Sequence, residues 1–261
     1  MTLTRRPLRA AMIAASGGIL FATMALVPAA AAPAAPLADT PLAGVVIALD
    51  PGHQLGNSNP KFFSNLAVTH FNGYETKNCN TTGTATNAGY PEATFNWEVA
   101  LLVKDQLQAL GAQVQMTRHS NSWSKWGPCV NERGQFGNRI GADLLLSIHA
   151  DGADSAGYGF FVMEPSVIKG WTDDISAKSI RMGKKFIAGM AAAGAPRSTY
   201  ISGQMMVTPT ISTLNFSDVP AILVESGNMR NATDARRMSS PDGQRQYADW
   251  IVAGVRAALQ K

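Results

Sequence analysis

The sequence predicts an α/β protein, a single domain with a mostly parallel or mixed central sheet and helices on both faces. Short continuous apolar runs recur along the chain and end in polar residues, the pattern of strands covered on both sides. Amphipathic stretches with apolar spacings of three and four separate those runs. No internal repeat and no Pro/Ser-rich linker divides the chain after Pro41, and strands alternating with helices pack as layers around one sheet. With 261 residues, 46% apolar and 15% charged, the chain can bury one sizeable core, which excludes disordered, collagen-like and coiled-coil architectures.

The first strand is the run Val45-Val46-Ile47-Ala48-Leu49-Asp50. Residues 54–91 are rich in Asn, Thr and Gly, lack periodicity and read as a long excursion. A helix spans about Pro91 to Leu110, with Phe95, Val99, Leu102, Val103, Leu107 and Leu110 on one face and Gly111 as its stop. Gln113–Thr117 reads as a strand, Asn131–Gly141 as a short helix, and Leu144–Ile148 as a third buried strand. Tyr158–Met163 follows as another strand, then a helix over Asp173–Ala193 and an extended piece at Gln204–Val207. Ala221–Glu225 is a further apolar strand. The closing helix starts near Gln244 and aligns Ala248, Ile251, Val252, Val255 and Leu259.

Residues 1–32 read as a signal peptide: a positive start at Arg5, Arg6 and Arg9, an apolar stretch, then small residues suited to cleavage. Residues 33–41 form an Ala/Pro-rich linker, and 42–261 the single folded domain. Export to the periplasm, cell wall or medium is expected, by a route left open because Thr4-Arg5-Arg6 only loosely matches a twin-arginine signal. The formal charge of +4 belongs to this leader; without its three arginines about +1 remains. No other basic cluster exists, so nucleic acid is not an expected partner. No later segment is apolar for long enough to cross a bilayer. The mature chain is expected to act alone. Cys79 and Cys129, the only cysteines, sit in polar loops of an exported chain and are expected to pair. That bridge closes roughly 50 residues, worth ~4 kcal/mol in the chain-entropy model.

Three apolar strands each deliver a metal-binding or proton-transferring group just past their last buried residue. These are His53 after Leu49-Asp50-Pro51-Gly52, His149 after Ser147-Ile148, and Glu225 after Val224. Parallel strands bring such groups to one rim, where open α/β sheets bind ligands. Two neutral imidazoles suit Zn²⁺, and a catalytic zinc takes a third protein ligand while leaving one position for water. Asp50, Glu75, Glu92, Glu98 and Asp151 are the candidate acids. Glu92, behind Pro91 at the start of a helix returning to the strand edge, is better placed than Glu98. It is equally readable as a plain helix-start carboxylate. Asn96, four residues on, shares its face and can hydrogen-bond to it. His70 and His119 read as surface residues.

Four segments, Val46-Ile47-Ala48-Leu49-Asp50-Pro51-Gly52-His53, Glu92-x-x-x-Asn96, Ala142 through Asp151, and Pro220 through Gly227, resemble in order the motifs of the zinc-dependent N-acetylmuramoyl-L-alanine amidases. The likeness is greatest to the single-domain exported amidases of mycobacteria and runs from about residue 44 to the C-terminus. The resemblance implies one zinc ion on His53, Glu92 and His149, and Glu225 as the catalytic carboxylate. It further implies hydrolysis of the bond between N-acetylmuramic acid and L-alanine in peptidoglycan or muropeptides. The chain departs from the family at Gln54-Leu55-Gly56-Asn57, where a glycine pair is common, and in the Cys79-containing excursion. No inhibitory helix and no wall-binding repeat is evident, so affinity for the polymer is expected from the cleft itself.

Two other readings compete. A zinc peptidase acting elsewhere on the stem peptide shares the chemistry, and a non-catalytic wall-binding relative shares the fold but is expected to lack a ligand or Glu225. Arg133, Asn138 and Arg139 echo the family's helix before the third strand. Arg133 reads either as a contact to a stem-peptide carboxylate or as a helix anchor. Trp123, Trp126 and Trp171 are left without a role.

Overall fold

Alternation along the apolar strands sends successive side chains to opposite sheet faces, and the two faces are covered unequally. The computed structural model describes residues 40–63, 68–70 and 75–260, all within one unit, Ala38–Lys261. The signal-peptide and most of the linker expectations, residues 1–39, fall outside the described residues.

In chain order the elements are β1 (Val46–Pro51), a 3-10 turn, α1 (Pro60–Phe63), β2 (Val68–His70), β3 (Thr76–Asn78) and α2 (Glu92–Ala109). Then come β4 (Gln113–Met116), α3 (Val130–Ile140), β5 (Leu144–Asp151), β6 (Phe161–Pro165) and α4 (Ser176–Ala192). After a second 3-10 turn, β7 (Met205–Thr208), α5 (Ser212–Asn215), β8 (Ala221–Asn228), α6 (Ala232–Met238) and α7 (Pro241–Leu259) complete the chain. The six-stranded sheet runs β4-β1-β5-β8-β6-β7. It is mixed: β4, β1, β5 and β8 are mutually parallel, β6 is antiparallel to β8, and β7 is parallel to β6.

Ile47, Leu49, Leu144, Leu146, Ile148, Ile222 and Val224 face the larger layer, where α2, α4 and α7 supply Phe95, Val99, Phe186, Met190, Tyr247 and Ile251. Ala48, Leu145 and Leu223 face the thinner layer under α3 and α5. The period of two puts Asp50, Ser147, His149 and Glu225 on that thinner face too. The register sets Asp50 beside Ser147 and His149 beside Glu225. Apolar strands can therefore end in polar groups without exposing their core face.

Some boundaries differ from the sequence reading. Helix α4 starts at Ser176 rather than Asp173, because Thr172 turns the chain there, accepting from Ile168 N and donating to Ser166 O. Helix α7 starts at Pro241, where the Ser240 hydroxyl accepts from Gly243 N and proline suits the first turn. Strand β6 starts at Phe161 rather than Tyr158. The excursion holds a 3-10 turn, α1 and an antiparallel β2–β3 pair.

One buried group conflicts with its surroundings. Glu164 on β6 is fully buried, neither carboxyl oxygen has a partner among the described residues, and Oε1 lies against Gly183 of α4. Burial pushes this carboxyl well above its ordinary 4.5. An acid raised in the folded state lowers stability as pH climbs from the unfolded value toward the folded one. Glu164→Gln should therefore melt higher than wild type at pH 8, with the gap closing toward pH 4. Thermal melts across that range check this, and a gap independent of pH would contradict it.

Candidate metal centre and cleft

The turn after β1 is built by close backbone approach. Gly52 N still pairs with Ile148 O at 2.9 Å, and a Cβ on Gly52 would meet His149 Cε1 at 2.2 Å. His53 follows in the left-handed region, φ 58°, uncommon for a side-chain-bearing residue. Its Nδ1 contacts Thr81 O at 3.0 Å, which makes that nitrogen a donor, and Nε2 faces inward toward Glu92.

Glu92, the first residue of α2 and 3% exposed, joins the two imidazoles. Oε2 lies 3.2 Å from His53 Nε2 and accepts from Thr84 N at 2.9 Å. Oε1 lies 3.0 Å from His149 Nδ1 and accepts from Asn96 Nδ2 at 3.1 Å and Ala150 N at 3.2 Å. Gly83, at φ 77°, makes room for this: a Cβ there would sit 2.6 Å from Glu92 Oε2. His53, Glu92 and His149 are the one group of three whose ligand atoms all lie within 4.8 Å of one another among the described residues, and they could hold a metal ion. Of the other candidate acids, Asp50 is engaged with Arg133, Glu98 accepts from Tyr90 and Gln244, Asp151 lines the cleft nearby, and Glu75 lies exposed. His119 is exposed, and the side chain of His70 lies outside the described residues.

The electrostatics follow the charge of Glu92. Despite burial, which alone would raise it, the Glu92 carboxyl is held well below its ordinary range by His53 and by hydrogen bonds to both imidazoles. Burial pushes His53 down, but Glu92 outweighs it and leaves His53 raised. For His149 burial wins, aided by the neighbouring His53, and it is lowered. Glu225, beside His149 on β8, is pushed well above the carboxylate range by burial, then by Glu92 and Asp151. Its Oε2 is buried with no hydrogen-bond partner among the described residues.

Two buried arginines fasten the His53 turn from below. Arg133 Nη1 donates to Asp50 Oδ1 at 2.6 Å and to Pro51 O, Nη2 donates to His53 O at 2.7 Å, and Nε donates to Pro128 O. Arg133 therefore anchors its helix to the His53 turn, with four of its five N–H donors bonded within the protein. Arg118, absent from the sequence reading, donates to Pro51 O, Ala93 O and Ser120 O. Burial and the charge of Arg133 lower Arg118 to about 9. Only the position of Arg118 just past β4 hinted at this role. Asp50 also accepts from Thr117 and Ser147, and these bonds with Arg133 overcome burial to keep its carboxyl low. Asn138 and Arg139 bond to Asp218 and to Glu132 O, outside the cleft.

The cleft above, about 330 Å³, is walled by residues 77–84 on one side and Ile211–Thr213 on the other. A Cys79–Cys129 disulfide ties the first wall to the start of α3, and Lys77 Nζ reaches Thr210 O across the two walls. No tryptophan lines it: Trp123 is exposed, Trp126 rests near Phe62, and Trp171 packs on Phe216.

Residues 47–257 match a sequence family described as N-acetylmuramoyl-L-alanine amidase. The chain belongs to the N-acetylmuramoyl-L-alanine amidase family. It is 34% identical over 219 residues to the N-acetylmuramoyl-L-alanine amidase Rv3717 of Mycobacterium tuberculosis, covering 84% of this chain and 88% of that one. It also resembles the crystal structure of the amidase Ami1 from Mycobacterium smegmatis, at 37% identity and a TM-score of 0.77, over 84% of this chain and 98% of that one. The apo form of Ami1 from Mycobacterium abscessus matches at 36% identity and a TM-score of 0.76, over 84% and 100%. This amidase is thus a hydrolase on a fold shared with those enzymes. No helix among its described residues is long and apolar enough to cross a membrane.

The Arg133–Asp50 pair, 2% and 1% exposed, carries a clear expectation. Removing one partner of a buried pair strands the other charge, at about 3–5 kcal/mol. Arg133→Met should lower stability by that amount in denaturant titrations. A loss below about 1 kcal/mol, the range of a surface pair, would contradict it.

Proposed function

We propose that this amidase cleaves the amide between the lactyl carbonyl of N-acetylmuramic acid and L-alanine, in peptidoglycan or its fragments, using one zinc ion. His53, Glu92 and His149 would hold the ion, and Glu225 would carry the proton. The observation that supports this best is the pairing of a three-donor cluster with a carboxyl, one of whose oxygens is buried and unpartnered among the described residues, in register on the next strand. Two nitrogens and one carboxylate oxygen form a donor set that suits zinc, and Gly52 and Gly83 supply the close approach that the cluster needs. When bound, zinc polarises the carbonyl and acidifies water.

The chain's own residues do the rest. Thr81 O sets the His53 tautomer, while Asn96 and Ala150 N orient Glu92, so little is left to reorganise. Glu225, whose proton affinity is moved toward neutrality, takes a proton from the attacking water and gives it to the departing nitrogen. An amide nitrogen leaves poorly without that proton. The leader at residues 1–32 and the Cys79–Cys129 bridge support export to an oxidising compartment, periplasm or wall.

Glu225→Gln should keep one zinc by elemental analysis yet lose about 10²–10⁴-fold in stem-peptide release, followed by mass spectrometry of muropeptide digests. Near-normal release of intact peptides with a new N-terminal alanine would remove Glu225 from this role. His149→Ala should lose stoichiometric zinc; full occupancy in that variant would overturn the ligand set.

A further inference from the structure

Asp151 ends β5 two residues beyond His149 and lines the cleft with Glu225. Its carboxylate is held from two sides: Gly152 N donates to Oδ1 at 2.7 Å, and the Tyr200 hydroxyl donates to Oδ2 at 3.0 Å. Tyr200 is fixed in turn, its ring edge-on to Phe161 at 5.8 Å and packed on Gly157, where a Cβ would approach within 2.6 Å. Both donors to Asp151 are neutral. Asp50 and Asp234 have arginine partners and Glu92 has two imidazoles, but no cation pairs with Asp151 among the described residues. A half-buried, rigidly held carboxylate with no counter-charge is set to receive one.

Amide hydrolysis produces a cation in this cleft. Water gives its oxygen to the acyl carbon, and the C–N bond breaks with its electron pair on nitrogen. Both water protons end on that nitrogen, one of them through Glu225, so the products are a carboxylate and an α-ammonium. Asp151 stands two residues beyond His149, whose partner across β5 and β8 is Glu225, and both carboxylates line the same cleft.

We propose that Asp151 seats the α-ammonium of the departing peptide, a specificity-determining contact on the amine side of the scissile bond. The amide of the substrate has one neutral N–H to offer, whereas the ammonium has three charged ones, so the contact strengthens as the bond breaks. This rests on the reading of Glu225 given above and adds a recognition element on the leaving-group side.

The test is calorimetric titration of the zinc-loaded protein with L-alanyl-D-isoglutamine and with its N-acetyl derivative. Wild type should bind the free amine about tenfold more tightly than the capped form. Asp151→Asn should bring the two within about twofold while leaving zinc content and capped-peptide affinity unchanged, and Asp151→Glu should restore the preference. A preference that survives in Asp151→Asn, or is missing in wild type, overturns the proposal. Should Asp151→Asn not fold, Tyr200→Phe, which loosens the carboxylate but keeps its charge, should cut the preference several-fold; an unchanged preference overturns it equally. Failure of the underlying reaction would look different: a wild-type enzyme that frees no peptide from N-acetylmuramoyl-L-alanyl-D-isoglutamine.

Discussion

The carboxylate of Glu92 is the point on which the cleft depends. It stands at the start of a helix on one face of the sheet, and its two oxygens span the histidines that leave β1 and β5. Without that bridge, His53 and His149 would be two separate strand-end imidazoles, each satisfied locally. Five contacts at or below 3.2 Å fix its oxygens, three of them from backbone or amide N–H groups. A buried negative charge held this firmly among nitrogen ligands creates a potential for a cation. It also raises the neighbouring Glu225. One residue thus dominates the electrostatics of the proposed metal site and adds to the burial that raises the proposed proton carrier.

Support for that geometry comes from beneath the sheet edge. The left-handed backbone at His53 is a conformation that surrounding structure must impose. Arg133 and Arg118 impose it by saturating the carbonyls of residues 51 and 53. The Asp50 carboxylate anchors Arg133 and ties the turn to β5 through Ser147. The disulfide holds Cys79 two residues before Thr81, whose carbonyl selects the His53 tautomer. Buried charge of this kind costs stability, and its use here is to fix direction rather than to strengthen the fold.

Much of this was legible in the sequence, for identifiable reasons. Strands β1, β5 and β8 are continuous apolar runs because both of their faces are covered, and their ends announced His53, His149 and Glu225. Helix α2 carried an unambiguous three-and-four spacing. Helices α5 and α6, of four and seven residues, are too short for periodicity to register. Helix α6 depends instead on the Asn231 side chain capping Thr233 N and Asp234 N. The antiparallel direction of β6 is a property of the connection, not of its own residues. Arg118 and Thr81 act through backbone carbonyls, which leave no mark on composition or spacing. Whether Glu92 reaches His53 depends on how the excursion folds back, and spacing alone leaves that undecided; family resemblance suggested it.

His53, Glu92 and His149 are proposed to hold one zinc ion jointly. X-ray absorption at the zinc edge of the purified, metal-replete enzyme tests this most directly. The expected spectrum shows a low-coordinate shell with two imidazole nitrogens at about 2.0–2.1 Å and a carboxylate oxygen at similar range. A spectrum lacking imidazole scattering, or one unchanged when His149 is replaced by alanine, would contradict it.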